Sequence, residues 1–354
     1  MATAAAAVID TDVVVIGAGP AGLYAAFQLG LQELDTHVVD SLPHAGGQCA
    51  ELYPDKPIYD VPGLPAVSGR ELTQRLLQQL RPLAVPLHLG QVVAHLQADG
   101  VDAPSAPGRW RLRTAGELQF AARAVVIAAG VGAFLPRRLA VPGLQAWEGT
   151  QVHYDDPPPQ SWLDRHVVVT GGGEAAVRLA LRLAEAGAAR VTLLHRTDRF
   201  AIEAALDEQL QSAIGAGWIR LCLGQPIGAL AGEDGSLQAL EIATERDERL
   251  SLPLDLLLPR LGLHPRLGPI ADWGLALERK HLLVDPLTLQ TSHSGIHAIG
   301  DVVHYPGKRK LIVCAFHEAT LAAFAIAERL RGGPVPLEYT TTSPRLLALL
   351  RGAG

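Results

Sequence analysis

Apolar residues fall into short runs, and the residues just after each run decide how the chain is read. Val13 to Ile16 is a strand-like run. It leads at once into Gly17-Ala18-Gly19-Pro20-Ala21-Gly22, then an amphipathic helix pattern, then a second run, Val38-Val39, that ends in Asp40. The order strand, glycine turn, helix, strand, acid is repeated in part downstream. His166 to Thr170 runs into Gly171-Gly172-Gly173-Glu174-Ala175-Ala176, a long helix to about Ala186, and a strand at Val191 to Leu194. Between these units, Ser68 and Glu71 mark the start of a helix that stops near Leu80, before Pro82. The segments 87–97, 109–114 and 117–120 read as short strands forming an antiparallel insertion, and 124–130 as a buried strand ending in glycine. Further strands are expected at 237–243, 250–258, 282–284 and 295–299, with a helix from about Cys314 to Arg331. Breakers put the Pro- and Gly-rich stretches at 41–48, 53–63 and 261–265 in loops.

The two glycine turns carry the first chemistry. In such a turn Gly17 makes the tight bend, Gly19 lets the backbone approach a pyrophosphate, and Gly22 lets the helix pack on the strand. The bare N–H groups at the helix N-terminus face the phosphates. Asp40 stands where an acid would bind ribose hydroxyls. In the second copy, Gly171 and Gly173 repeat the pattern and Ala176 is the close-packing residue. The strand after it ends in His195-Arg196, with Arg199 close behind, and not in an acid. Cations there suit the 2′-phosphate of NADP better than the free hydroxyl of NAD. Otherwise they are ordinary surface charges. Gln48, in the loop after Asp40, is placed to bond a ligand through its amide or is a solvated loop residue. Tyr53 and Tyr59 either stack on a flat ligand or cover core.

Composition narrows the class. A chain of 354 residues, 48% hydrophobic and 19% charged, is long enough for two α/β domains. Its net charge of -6 argues against a nucleic-acid partner. Cys49, Cys222 and Cys314 are far apart and odd in number, which is neither a disulfide framework nor a metal spacing and fits a reducing cytoplasm. The Ala-rich start, Met1 to Val8, lacks a basic region, so no signal peptide is expected, and no membrane span either.

Two dinucleotide fingerprints with Ile299-Gly300-Asp301 downstream resemble the two-dinucleotide-binding flavoprotein superfamily. Within it, nearly the whole chain resembles the thioredoxin-reductase-like ferredoxin–NADP reductases. The resemblance rests on GAGPAGLYAAF, SLPHAGGQCAELYPDKPIYDVPG, GVGAFLPRRL, GGGEAAVRLAL, LGPIADWGL, IGDVVHYPGKRKLI and the terminal YTTTS. It implies two Rossmann-like domains: a discontinuous FAD domain, residues 1–133 and 263–354, with an NAD(P)H domain, 134–262, inserted. FAD would be held by Asp40, Gln48, Tyr53, Val93, Phe134, Asp301 and Thr342. Asp40 would take the adenosine ribose, Tyr53 would stack on the flavin, and Asp301 would hold the ribityl chain. The resemblance also implies a homodimer whose C-terminal tail reaches toward the flavin, and hinges near Gly130 and Gly262.

The implied activity passes electrons from NADPH, with NADH possible, through FAD to ferredoxin or flavodoxin. No acid–base or nucleophilic residue is required. Arg137, Arg138, Lys308, Arg309 and Lys310 are candidates for a basic landing patch, or an ordinary solvated face. Two departures shape the alternatives. No Cys-x-x-Cys pair exists, and the position where a partner for Cys49 would stand is Pro54, so no dithiol relay is expected. The arginine cluster after the second fingerprint is thinner than the family's. The alternatives are therefore a reductase of a quinone or other small acceptor, and an FAD-binding sensor without turnover.

Overall fold

In the computed structural model, residues 7–99, 108–246 and 248–351 are described. Seven α-helices are found among them: α1 Pro20–Leu31, α2 Gly47–Glu51, α3 Gly69–Leu80, α4 Glu174–Glu185, α5 Ala204–Gly215, α6 Ile312–Arg331 and α7 Pro344–Arg351. None of the described helices is long and apolar enough to cross a membrane. The chain divides into two compact units, Met1–Ala133 with Pro265–Gly354, and Phe134–His264.

The first unit is built on Val8–Ile16, the strand that opens the chain. It pairs in parallel with Thr36–Val39 on one side and with Gln119–Ile127 on the other. Val13, Val14 and Val15 are fully buried, which is why this stretch reads as a continuous apolar run: a parallel strand is covered on both faces. Alternate residues go to different cores. Val13, Val15, Val38, Ala124 and Val126 pack under helices α1, α3 and α6. Val14, Ile16, Val39, Val125 and Ile127 pack against Ile270, Leu275, Leu282, Val302 and Val303 on the opposite face.

Three expectations for this unit are corrected. Residues 117–130 do not hold two strands: Gln119–Ile127 is one. Its first half pairs with Arg109–Thr114 and its last three residues with Ile296–Ala298. The expected antiparallel strands are there, Val93–Asp99 and Arg109–Thr114, and they extend the main sheet, but 87–97 is not one strand: Leu87–His88 is separate and joins the sheet's far edge in parallel. Helix α1 is not amphipathic. Seven of its twelve residues are buried, because it lies between the sheet and α6. Helix α3 does begin where its capping residues say, with Ser68 Oγ accepting the Glu71 N–H at 3.1 Å.

The second unit has a parallel sheet in the order Ile219–Leu223, Arg190–His195, His166–Thr170, Leu256–Pro259. Helices α4 and α5 cover one face through Val167, Val169, Leu193 and Leu258. An antiparallel sheet of Gln225–Ala231, Leu237–Ala243 and Arg249–Pro253 covers the other. The expected single strand over 250–258 is two strands in two sheets. The break falls at Leu254-Asp255, where the Asp255 carboxylate accepts the backbone N–H of His166 at 2.7 Å. The expected loop at 261–265 gives way at Leu263 to a strand, Leu263–Arg266.

Candidate dinucleotide sites

Local sterics make the first glycine turn. Gly17 has φ +114, and a Cβ there would lie 2.4 Å from the carbonyl oxygen of Ala128. A Cβ on Gly22 would lie 1.8 Å from the carbonyl oxygen of Gly17, so the helix can sit this close to the strand end only without a side chain. Gly19 caps α1 in extended backbone, with Pro20 following and no side chain capping the helix. That leaves the first-turn N–H groups and the positive end of the helix dipole for an anion. Asp40 is buried and accepts the N–H of Ala18 at 2.5 Å and of Leu42 at 2.8 Å. Burial pushes its carboxyl above the usual range, against the pull of those two N–H groups and of His44. Asp40 thus braces the turn through Ala18 as well as offering its remaining acceptor capacity.

Residues remote in sequence meet at this turn. Gln48 lies on helix α2, not in a loop as expected, and its Nε2 donates to Asp301 Oδ2 at 3.3 Å across 253 positions. A Cβ on Gly47 would come within 2.9 Å of Gly19 Cα, one on Gly130 within 3.0 Å of Gln48 Nε2, and one on Gly300 within 3.2 Å of Ala21 Cβ. Four segments, 17–22, 46–48, 128–130 and 300–301, therefore share one locale. Tyr53 stands at its edge, with its hydroxyl 3.7 Å from the sulfur of Cys49. Burial, then the neighbouring Cys49, pushes the phenol well above its ordinary range.

Three expected residues remain. Val93 is buried beside Ile16 and Val39, the residues that precede Gly17 and Asp40, and its side chain packs there. Phe134 lies on Ala133–Pro136, and its side chain is outside the described part of the structure. Thr342 is exposed in a turn, its N–H bonded to the carbonyl of Tyr339 at 3.1 Å. The tail around it is anchored at the C-terminal end of α1. Arg345 pairs with Glu33 and Glu338, each at 3.0 Å, and Leu346 is buried in the core. The glycine turn is at the other end of that helix, about 18 Å away.

The second turn repeats the sterics of the first. A Cβ on Gly171 would meet the carbonyl oxygen of Arg260 at 2.2 Å and Ala176 Cβ at 3.0 Å, and Gly173 starts α4 with open space at its Cα. The His195 ring lies directly over Gly172. Burial, then the adjacent Arg196, lowers its pKa from the ordinary histidine value. Ala201 N–H bonds to Gly172 O at 2.8 Å, which ties the loop carrying Arg196 and Arg199 to the turn. Both arginines are exposed, and among the described residues neither has an ion-pair partner.

Residues 11–319 match the model of the pyridine nucleotide-disulphide oxidoreductase family. The chain belongs to that family. A ferredoxin–NADP reductase of Acidovorax sp. (strain JS42) is 52% identical over 342 residues, covering 96% of this chain and 95% of the relative. One from Paracidovorax citrulli (strain AAC00-1) is 50% identical, covering 99% and 98%. Among solved structures, a thioredoxin reductase of Lactococcus lactis is similar at 25% identity with a TM-score of 0.56, over 91% of this chain and 99% of that one. The two-unit α/β architecture is that of the family's fold.

Against the family's disulphide chemistry stands the state of the thiols. Cys49, Cys222 and Cys314 are all free. Cys49 is buried, and burial raises its thiol pKa, the opposite of an activated nucleophile. The expected basic patch is also corrected. The side chain of Lys308 is nearly buried and its ammonium is paired with the carboxylate of Glu318. Arg309 and Lys310 are exposed in the first unit; Arg137 and Arg138 are exposed in the second, where Arg138 pairs with Glu148. Glu318 itself escaped the reading of the sequence. The signal was there in a lone acid within the apolar face of α6, between Ala315 and Ala322.

Proposed function

We propose that this member of the family is an FAD-dependent ferredoxin–NADP reductase. The first unit would seat FAD on Gly17, Gly19 and Gly22, with Asp40 at the ribose and Gln48, Tyr53 and Asp301 at the flavin end. The second would seat NADPH on Gly171 and Gly173, with Arg196 and Arg199 at the 2′-phosphate. When bound, FAD supplies a two-electron acceptor for hydride that can release electrons singly. The chain's part is to orient both cofactors and exclude competing thiol chemistry. The observation that carries the reading is the meeting of 17–22, 46–48, 128–130 and 300–301 around the Gln48–Asp301 bond, supported by near full-length identity of about half to reductases of that name.

The test is an anaerobic titration of the purified protein with NADPH and with NADH, followed by turnover with ferredoxin, flavodoxin and a quinone side by side. Bleaching of flavin absorbance by NADPH and fastest turnover with ferredoxin is the expected result. Bleaching by neither nucleotide sinks the reductase reading and leaves the sensor; preference for the quinone replaces the acceptor. Arg309 and Lys310 support electrostatic docking of an acidic carrier on the first unit, for which ferredoxin turnover would fall with salt while small-dye reduction would not. A homodimer in which the exposed tail reaches the flavin of a second copy gives Thr342 a role. Free thiols favour the cytoplasm as the working compartment.

A further inference from the structure

Behind Asp301 lies a buried polar knot that the proposed reaction does not use directly. Glu318, in the second turn of α6, is 1% exposed, and its neighbours on that face are the buried Ala315 and Ala322. One carboxylate oxygen accepts the backbone N–H of Gly300 at 2.7 Å. The other accepts the hydroxyl of Tyr305 at 2.7 Å and the ammonium of Lys308, which is itself only 4% exposed. Three donors thus converge on one carboxylate, and its charge is matched by the nearly buried ammonium of Lys308.

For stability alone this is a poor device. Removing two charges from water costs several kcal/mol per ion, and an apolar pair of like volume commonly does as well. What leucines would not provide is a directed, rigid acceptor for the Gly300 N–H. That bond fixes the turn preceding Asp301 on one side. On the other, Gly300 packs against Ala21 of the glycine-turn helix, and the Asp301 carboxylate is met by Gln48. The peptide of Gly300 is therefore held from α6 while the side chain of Asp301 is held from α2.

We propose that Glu318 is a positioning residue of the cofactor site: its carboxylate, oriented by Lys308 and Tyr305, sets the Gly300–Asp301 turn and through it the Asp301 carboxylate that would bind the ribityl hydroxyls of FAD. The inference rests on the reading that the first unit holds FAD. Glu318 touches no cofactor atom in this scheme and acts only through Asp301.

The experiment is the rate of FAD release from the purified full-length holoprotein. Glu318→Gln keeps the shape but removes one acceptor oxygen, and release is expected about tenfold faster, the worth of one charge-assisted hydrogen bond. Tyr305→Phe removes a single donor at the rim of the knot and is expected to speed release roughly threefold. Asp301→Asn is the partner for a double-mutant cycle. If Glu318 acts through Asp301, either change adds little in the Asp301→Asn background. A purely structural role predicts that the factors multiply in full. Full multiplication by both variants, or wild-type release from Glu318→Gln, overturns the proposal. Should Glu318→Gln fail to fold, the Tyr305→Phe cycle decides alone. Wild-type protein that carries no FAD and takes none up overturns the FAD reading itself, before any variant is made.

Discussion

Replacing Gly22 and Gly19 by alanine separates the two jobs of the first glycine turn. At Gly22 the new methyl would lie 1.8 Å from the carbonyl oxygen of Gly17, 2.9 Å from its carbon and 3.3 Å from Ala128 Cβ. The near atoms are backbone, so no side chain can swing clear. Helix α1 must retreat by roughly 1.2 Å or more from the strand end, an overpacking that costs about 3 kcal/mol. For a unit of this size that lowers the melting temperature of FAD-free protein by roughly 10 °C. At Gly19 the backbone is extended and the nearest atom to a new Cβ is Gly47 Cα at 3.7 Å, an ordinary contact. Gly19→Ala should therefore cost the FAD-free protein less than about 1 kcal/mol, a capping effect. The same methyl would stand where a pyrophosphate must approach, and FAD affinity should fall about 100-fold, or ~3 kcal/mol. Thermal unfolding of both FAD-free variants, with FAD titrated into each, reads the two quantities apart. Gly19→Ala that binds FAD like wild type, or that melts as low as Gly22→Ala, would refute the division of labour.

Burial lowers the pKa of His297 to about 4 from 6.5. Its folded value lies below its unfolded one, so the neutral ring contributes stability that is whole above pH 6.5 and is lost as pH falls toward 4, about 2 kcal/mol by pH 5. Urea titrations at pH 8 and pH 5 should show this loss in wild type and not in His297→Gln. Arg196→Ala with Arg199→Ala should raise KM for NADPH about tenfold and leave that for NADH unchanged; equal effects on both would remove these residues from the 2′-phosphate. Ser68→Ala, which deletes the cap bond to Glu71, should cost about 1 kcal/mol in urea unfolding, with FAD content unaltered.

What could be read along the chain was what neighbouring residues decide among themselves. The strand at 13–16, the turn at 17–22 and the Ser68 cap depend on contacts within a few positions. Helix α2 was hidden because it is only five residues long and starts at Gly47, the second glycine of a Gly46-Gly47 pair that reads as loop. Helix α5, with Asp207, Gln209, Gln211 and Ser212 among its twelve residues, carries too weak a period to stand out and is held by Leu206 and Leu210 against a sheet formed by other segments. Lys308 sits in a run of three cations that suggests water, yet a carboxylate ten positions on draws it inside. Thr342 was placed by resemblance; where its own chain puts it depends on Arg345 reaching back to Glu33. In each case the deciding partner was distant, and a local pattern carries no record of it.

The divided first unit imposes an order on synthesis. Its sheet strand Gln119–Ile127 lacks its neighbour Ile296–Ala298 until about 170 further residues have been made, a wait of roughly 10–30 s at ribosomal rates. Through that interval the continuous stretch Phe134–His264 has everything it needs to close, while Val125 to Ile127 present an apolar, half-paired edge. Helix α6, made after Ile296–Ala298, brings Glu318 to Gly300, so the nascent chain completes the candidate flavin seat only once residues 296–318 have left the ribosome.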